Sequence, residues 1–153
     1  MSIKYIKPTL LDIQDMQELV RPEVEEGIIL PRSDDEIATN IRSYFLAKEE
    51  DKLVGFTALH IHSPNLAEIR SLIVDKNYRG RGIGKALVRE AVKEAKKLKV
   101  KKLFTLTYQK EFFEKEGFKE IAKESLPEHK IWADCIKCKH FPICNEIALI
   151  KEL

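Results

Sequence analysis

The chain has 153 residues, enough to bury a sizeable core in one domain and short for two. Its 27 basic residues against 25 acidic ones leave a formal charge of +2, which excludes the electrostatic footprint of sequence-independent nucleic-acid binding. No apolar run approaches the roughly 20 residues that span a bilayer, and the opening Met-Ser-Ile-Lys-Tyr lacks a signal-peptide core, so a cytoplasmic protein with no nucleic-acid or membrane partner is expected.

Ile3 to Ile6 reads as a short strand. Thr9, with Asp12 behind it, can cap a helix whose apolar positions are Ile13, Met16, Leu19 and Val20, and Pro22 should end or kink that helix. In the loop from Glu23 to Arg32, Gly27 and Pro31 surround Ile28-Ile29-Leu30. Apolar residues there need a cover, and lining a substrate pocket would supply one. Ser33-Asp34-Asp35-Glu36 has the capping-box form, so a second helix is expected to about Tyr44, with Ile37, Ile41 and Phe45 on one face. Phe45 to Lys48, the turn Glu50-Asp51-Lys52 and Leu53 to Ile61 read as an antiparallel hairpin. Alternation puts Ala58, His60 and His62 on one face of its second strand, opposite Leu59 and Ile61. The two histidines could line a site. Without a third ligand nearby they are read as polar-face residues rather than metal ligands.

Ser63-Pro64-Asn65 turns the chain into a strand from Ala67 to Val74. Beyond a glycine-rich turn, a helix should bury Ile83, Leu87, Ala91, Ala95 and Leu98. Lys93, Lys96, Lys97 and Lys99 fall in its last turns, where positive charge suits the helix dipole on a solvated face. A strand from Leu103 to Leu106, a short helix from Gln109 to Glu116 stopped by Gly117 ahead of Phe118, and a final strand from Ile147 to Ile150 follow.

The glycine-rich turn, Arg79-Gly80-Arg81-Gly82-Ile83-Gly84-Lys85, lies between a strand and a helix, and three glycines in five positions let a ligand approach the main chain. Backbone N–H groups at the helix start lack intrahelical partners and, with the helix dipole, favour a diphosphate. A P-loop would need glycine where Arg79 stands and a hydroxyl where Ala86 stands, so that reading fails. The dinucleotide fingerprint G-x-G-x-x-G breaks at Lys85 in one frame and at Leu87 in the other. What remains is R-x-x-G-x-G, preceded by Leu72-Ile73-Val74-Asp75 and Tyr78 and followed by Ala86-Leu87. This pattern resembles the acetyl-coenzyme A loop of the GCN5-related N-acetyltransferases. Glu116-Gly117-Phe118 adds to the match, because that family typically places Gly-Phe after its last helix.

The resemblance covers roughly residues 3 to 122. It implies a single α/β (α+β) domain over 1–153, with a mostly antiparallel mixed sheet flanked by helices; the cysteine-containing C-terminal segment at 132–153 is unlike the common family pattern. Acetyl-coenzyme A would be the cosubstrate, bound by Leu72, Ile73, Val74, Arg79, Gly80, Arg81, Gly82, Ile83, Gly84 and Lys85, with the Val74 N–H on the thioester carbonyl. Glu68, six residues ahead of Val74, stands where many family members carry the carboxylate that relays the amine proton through water. It is the candidate base, with strand ending or pairing with Arg70 as the structural alternative. Many members also have a tyrosine four residues before the Gly of Gly-Phe to protonate the coenzyme thiolate, but that position is Phe113 here. Tyr108 is a substitute candidate, unless its ring simply packs on the core.

Phe112-Phe113 ahead of Glu116-Gly117-Phe118, then Leu126-Pro127, together with Gly27-Ile28-Ile29-Leu30-Pro31-Arg32, resembles the acetyltransferase domain of bacterial N-acetylglutamate synthases. By that resemblance the acceptor is L-glutamate, the setting is arginine biosynthesis, and Arg32 clamps a substrate carboxylate with its planar fork. The larger synthases carry an amino-acid kinase-like domain in front, without counterpart in this sequence. They also end in an arginine-bearing segment, where Asn145 to Lys151 has no arginine. Arg70, Arg42 and Arg21 are then the alternatives for a second carboxylate contact. Another small amine or a protein N-terminus as acceptor, and a coenzyme A-binding module that no longer catalyses, are the competing functions. A homodimer is left open. In the tail, Cys135-x-x-Cys138, His140 and Cys144 could offer three sulfurs and a nitrogen to zinc, with free or partly oxidised thiols as the alternative.

Overall fold

Along the strand Tyr44–Glu49, Tyr44 and Leu46 belong to one apolar cluster, Phe45 and Ala47 to another, and all four are buried. A strand buried on both faces needs a sheet covered on both faces. The computed structural model, which describes residues 2–126 and 147–153, has that arrangement. Among these residues the elements run β1 (Ile3–Ile6), α1 (Ile13–Glu25), α2 (Asp34–Thr39), β2 (Tyr44–Glu49), β3 (Lys52–Ser63) and β4 (Leu66–Val74). They continue as α3 (Ile83–Lys97), β5 (Lys102–Thr107), α4 (Lys110–Lys115), β6 (Lys119–Ile121) and β7 (Ile147–Glu152). One sheet takes these strands in the order β1-β2-β3-β4-β5-β7-β6, antiparallel except where β4 lies beside β5. The expected mixed, mostly antiparallel sheet is present.

Helix α3 covers one face, setting Ile83, Leu87, Ala91 and Ala95 on Phe45, Val54, Leu59 and Ile69. Gly55 allows its close approach: a Cβ there would meet the Ile73 carbonyl oxygen at 2.9 Å and Leu87 Cδ1 at 3.2 Å. The other face takes Ile13, Met16 and Val20 of α1 and Ile37 of α2 against Leu46, Phe56 and Ile73. Each fully buried Leu or Ile contributes about 1.5–3 kcal/mol.

Four expectations need correction. Helix α1 does not end at Pro22 but runs on to Glu25, with the Glu26 N–H bonded to the Pro22 carbonyl at 3.1 Å. Pro22 and Glu18 are both on the exposed side, so water can serve the carbonyl that the missing N–H leaves. The second helix stops at Thr39, not near Tyr44, because the Asn40 side chain donates to the Glu36 carbonyl at 2.9 Å and the chain turns through Ile41–Ser43 into β2. Phe45 is therefore a strand residue. Leu98 is 53% exposed, and Val100 takes the core position instead. Lys99, at φ 70°, turns the chain so that the Val100 N–H reaches the Ala95 carbonyl at 3.1 Å.

Candidate active site

Strands β4 and β5 pair at Leu66–Lys102, Ala67–Leu103 and Glu68–Phe104, after which no paired residues join them among the described residues. The Thr105 hydroxyl donates to the Ile69 carbonyl at 3.0 Å at the mouth of this opening, and beyond it the strands diverge. A bulge exaggerates the divergence. Phe56 faces Ile73 and Ala58 faces Arg70, so Thr57 stands opposite both Ser71 and Leu72, with Ser71 at φ 56°. The Thr57 hydroxyl secures the bulge by donating to the Arg70 carbonyl at 3.0 Å.

A cavity of about 140 Å³ fills the opening. Its walls are Glu68 to Leu72 of β4, Thr105 to Gln109 from β5 onward, Phe113 of α4, and Gly27 to Leu30 with Arg32 from the loop after α1. That loop therefore lines a cavity, with Ile28 still 43% exposed. Gln17 of α1 holds the loop by donating from Nε2 to the Arg32 carbonyl at 2.8 Å. A smaller recess of about 40 Å³ shares the Arg32, Arg70 and Ser71 walls and adds Glu36, Tyr44 and His60. Burial pushes the Tyr44 phenol up, against the pull of Arg32 and Arg70, so Tyr44 is a neutral hydrogen-bonding group at neutral pH.

Glu68 is 3% exposed and lies on the cavity wall. Its Oε1 accepts from Arg70 Nε at 2.8 Å and meets His62 Nε2 at 3.0 Å. The pairing with Arg70 that the sequence offered as an alternative is therefore real, and it coexists with a position facing the cavity. Arg32 lies 3.9 Å from Glu36 and lines both spaces. Arg42 and Arg21 line neither; Arg21 pairs with Glu18 on the surface of α1. Tyr108 borders the cavity at 38% exposure. Phe113 borders it without a hydroxyl, locked edge-on between Phe112 and Phe118 at centroid distances of 5.0 and 5.3 Å.

At the far end of β4, hydrogen bonding exposes one backbone group. The Asp75 N–H donates to the Val54 carbonyl at 2.8 Å, and Gly55 faces Val74 in register. In an antiparallel ladder the next pair along is the non-hydrogen-bonded one, so the Val74 N–H and C=O turn away from β3 into the opening beside β5. By the same parity the Ile73 backbone groups turn to β3, and its side chain is in the core. Arg79 Nε donates to the freed Val74 carbonyl at 3.1 Å, and its guanidinium also pairs with Glu23 of α1 at 2.9 Å. Gly80 and Gly82 have φ of 82° and 80°, and nothing lies within 4 Å of a Cβ built on either. Gly82 is the N-terminal cap of α3, no side chain caps it, and the Ala86 N–H is the one that bonds back to its carbonyl at 3.0 Å. The N–H groups of Ile83, Gly84 and Lys85 therefore project from the helix start. Ile83 contributes only its backbone there, since its side chain is 2% exposed in the core. Arg81 lies over the Tyr78 ring at 4.8 Å. An open turn of left-handed glycines, unpaired helix N–H groups and nearby cations fits the diphosphate of a coenzyme A thioester.

Cys135, Cys138, His140 and Cys144 lie outside the described residues. Among the described residues no group of three or more His, Cys, Asp or Glu side chains is placed to hold a metal.

The family model described as Acetyltransferase (GNAT) family matches residues 12–118, and the chain belongs to that family of N-acetyltransferases. An uncharacterized N-acetyltransferase of Chlorobaculum tepidum is 38% identical over 144 residues, 94% of this chain and 92% of its own length. An amino-acid acetyltransferase of Mycobacterium tuberculosis is 38% identical over 84 residues, covering 53% of this chain and 48% of that protein. The N-acetylglutamate synthase of Neisseria gonorrhoeae, solved with coenzyme A and N-acetyl-glutamate, superposes over 100% of this chain with a TM-score of 0.88 at 24% identity. The chain spans 35% of that synthase. The two share the fold.

Proposed function

We propose that the chain transfers the acetyl group of acetyl-coenzyme A to the α-amine of an acidic amino acid, L-glutamate, as in arginine biosynthesis. The observation that carries this reading is one cavity walled by a buried carboxylate, Glu68, and by two guanidiniums, Arg32 and Arg70, beside the strand edge that exposes the Val74 N–H. The amino-acid acetyltransferase among its relatives supports it.

Each residue then has a separate task. Arg32 and Arg70 present planar forks to the two carboxylates of the acceptor. Glu68 takes a proton from the ammonium, leaving a neutral amine that attacks the thioester carbonyl. The C–N bond forms as the C–S bond breaks, with negative charge growing on the carbonyl oxygen, where the Val74 N–H serves as donor. The thiolate leaves. Tyr108 offers a hydroxyl at the cavity for its protonation, and a thiol of pKa about 8.5 also leaves tolerably as the anion.

A panel of free amino acids, small amines and peptides, assayed by thiol release from acetyl-coenzyme A, tests the acceptor. Turnover is expected to be greatest with L-glutamate. Activity confined to other amines or to peptide N-termini refutes the acceptor and leaves the acetyltransferase. Coenzyme binding without turnover on any amine points to a module that has lost catalysis.

A further inference from the structure

Tyr44 opens β2 and is only 6% exposed, its ring packed edge-on against Phe56 at 5.8 Å in the core beneath α1. The residue also borders the smaller recess, where the charges of Arg32, Arg70 and Glu36 act on its hydroxyl. Among the described residues no group shares a hydrogen bond with that hydroxyl. A phenol this buried ordinarily has a partner, so the oxygen points to a ligand that enters the recess.

The recess suits an anion. Its volume of about 40 Å³ is about three times what one water needs, room for the three heavy atoms of a carboxylate. Two guanidiniums on its walls face one carboxylate, Glu36, and His60 can only add positive charge. Glu36 is itself engaged: its Oε1 accepts from the Ser33 N–H at 3.1 Å and its Oε2 lies 3.9 Å from Arg32. Tyr44, protonated at neutral pH, adds a donor to this positive excess.

Glu68 borders the main cavity and not the recess. An amino acid whose amine meets Glu68 therefore keeps its α-carboxylate, attached to the same carbon, in the cavity as well. Only the end of its side chain is left to enter the recess. Arg32 and Arg70, which border both spaces, stand at the junction.

We infer that this recess takes the side-chain carboxylate of the acceptor and that Tyr44 is the specificity-determining donor within it. The Tyr44 O–H donates to one carboxylate oxygen while the two guanidiniums balance the charge. The inference rests on the acidic amino acid proposed above as acceptor and names the group that reads its side chain. An acceptor of the same length with an apolar side chain leaves the buried hydroxyl unpaired, and the site rejects it.

Tyr44→Phe removes one oxygen and keeps the ring against Phe56. In the full chain, L-glutamate and L-norvaline are compared as acceptors by thiol release from acetyl-coenzyme A. Binding of L-glutamate to protein saturated with coenzyme A is measured by calorimetry. In Tyr44→Phe the KM and Kd for L-glutamate should rise roughly 10- to 100-fold, the factor for a hydrogen bond to a charged group. Turnover of L-norvaline, already low, and coenzyme affinity should stay within about twofold; where L-norvaline gives no turnover, the Kd for L-glutamate decides. The urea midpoint separates a specificity role from a structural one. With no protein partner to lose, the variant should match or exceed the wild type in stability. A lowered midpoint with unchanged glutamate constants would show that the hydroxyl serves the fold, and it overturns the inference. An equal loss of activity on both acceptors overturns it too. Glutamate turned over with an unaltered KM in Tyr44→Phe removes this inference alone, whereas a wild type that neither binds nor acetylates glutamate removes the proposed acceptor with it.

Discussion

Arg70 donates from Nε to Glu68 Oε1 at 2.8 Å from two residues along the same face of β4, so one strand supplies both a carboxylate and a guanidinium to the cavity. The pair orients Glu68 without removing it from the cavity wall. Glu68→Gln keeps the shape and the acceptor oxygen for Arg70 while abolishing the base. It should lower kcat roughly 10²- to 10⁴-fold at neutral pH, with partial recovery as pH rises and more of the amine is already neutral. Coenzyme binding by calorimetry serves as the folding control. A variant that turns over at the wild-type rate near neutrality would make Glu68 purely structural.

Arg32 belongs to the loop after α1, and its carbonyl is held by Gln17, so removing the side chain leaves the loop anchored. A clamp on a carboxylate holds ground state and transition state alike, so Arg32→Ala should raise the KM for glutamate with little change in kcat. A charge-assisted hydrogen bond of about 1.5–3 kcal/mol corresponds to roughly a 10- to 100-fold rise. Coenzyme affinity should not change. Unaltered glutamate kinetics, alongside a large effect of Arg70→Ala, would move the clamp to β4.

What the sequence revealed follows the range of the interactions involved. The glycine-rich turn at the start of α3 was legible because its geometry is local: left-handed glycines and a helix start need only neighbours in sequence. The place of Ile28 to Leu30 on the cavity wall was legible from their apolar character in a loop, although Ile28 itself stays 43% exposed. Continuation of α1 past Pro22 was not, since it depends on which way Pro22 and Glu18 face. The burial of Val100 in place of Leu98 depends on one left-handed residue, Lys99, whose lysine side chain gives no sign of it. Insertion of β7 between β5 and β6 is a long-range pairing with no local signature. The contact of His62 with Glu68 escaped for a related reason. Alternation placed His62 on one face with Ala58 and His60, but the register shift between Ile61 and Ser63 and the partner strand decide what it touches.

Asp12 ties the start of α1 to the sheet. Its Oδ1 accepts from Lys48 Nζ of β2 at 2.8 Å, and its Oδ2 accepts from the Thr9 N–H at 2.8 Å. Burial raises its pKa, but the hydrogen bonds from Lys48 and Thr9 and the Lys48 charge outweigh that, and the carboxyl is held below its usual value of 3.8. A group with a depressed folded-state pKa contributes stability that is full above the unfolded value and lost as pH falls through the folded one. Asp12→Asn should therefore cost about 1.5–3 kcal/mol at neutral pH. The gap from wild type in urea midpoint should stay constant down to about pH 5 and close below about pH 4, following the unfolded carboxylate value. A gap independent of pH would show that packing, not the ion pair, is what the substitution removes.

The glycine-rich turn gives the sharpest test of where the coenzyme binds, because Gly82 separates backbone strain from obstruction. At φ 80° any side chain is strained, yet a Cβ there has nothing within 4 Å, so the protein itself offers no clash. Gly82→Ala and Gly82→Val should lose similar stability, of order 1–2 kcal/mol from the left-handed conformation, visible as small and similar drops in Tm. Their affinities should diverge. A diphosphate resting on the Ile83, Gly84 and Lys85 N–H groups would lie against this position, and a branched side chain would hold it off while alanine intrudes less. By calorimetry the Kd for acetyl-coenzyme A should rise modestly in Gly82→Ala and at least tenfold in Gly82→Val. Gly84→Ala is the comparison within the same turn: its Cβ would meet Phe112 and Val74 at an ordinary 3.6 Å, so the fold should accept it. Equal affinity in Gly82→Val and wild type would mean that the phosphates bind elsewhere, and the cradle would be a structural turn.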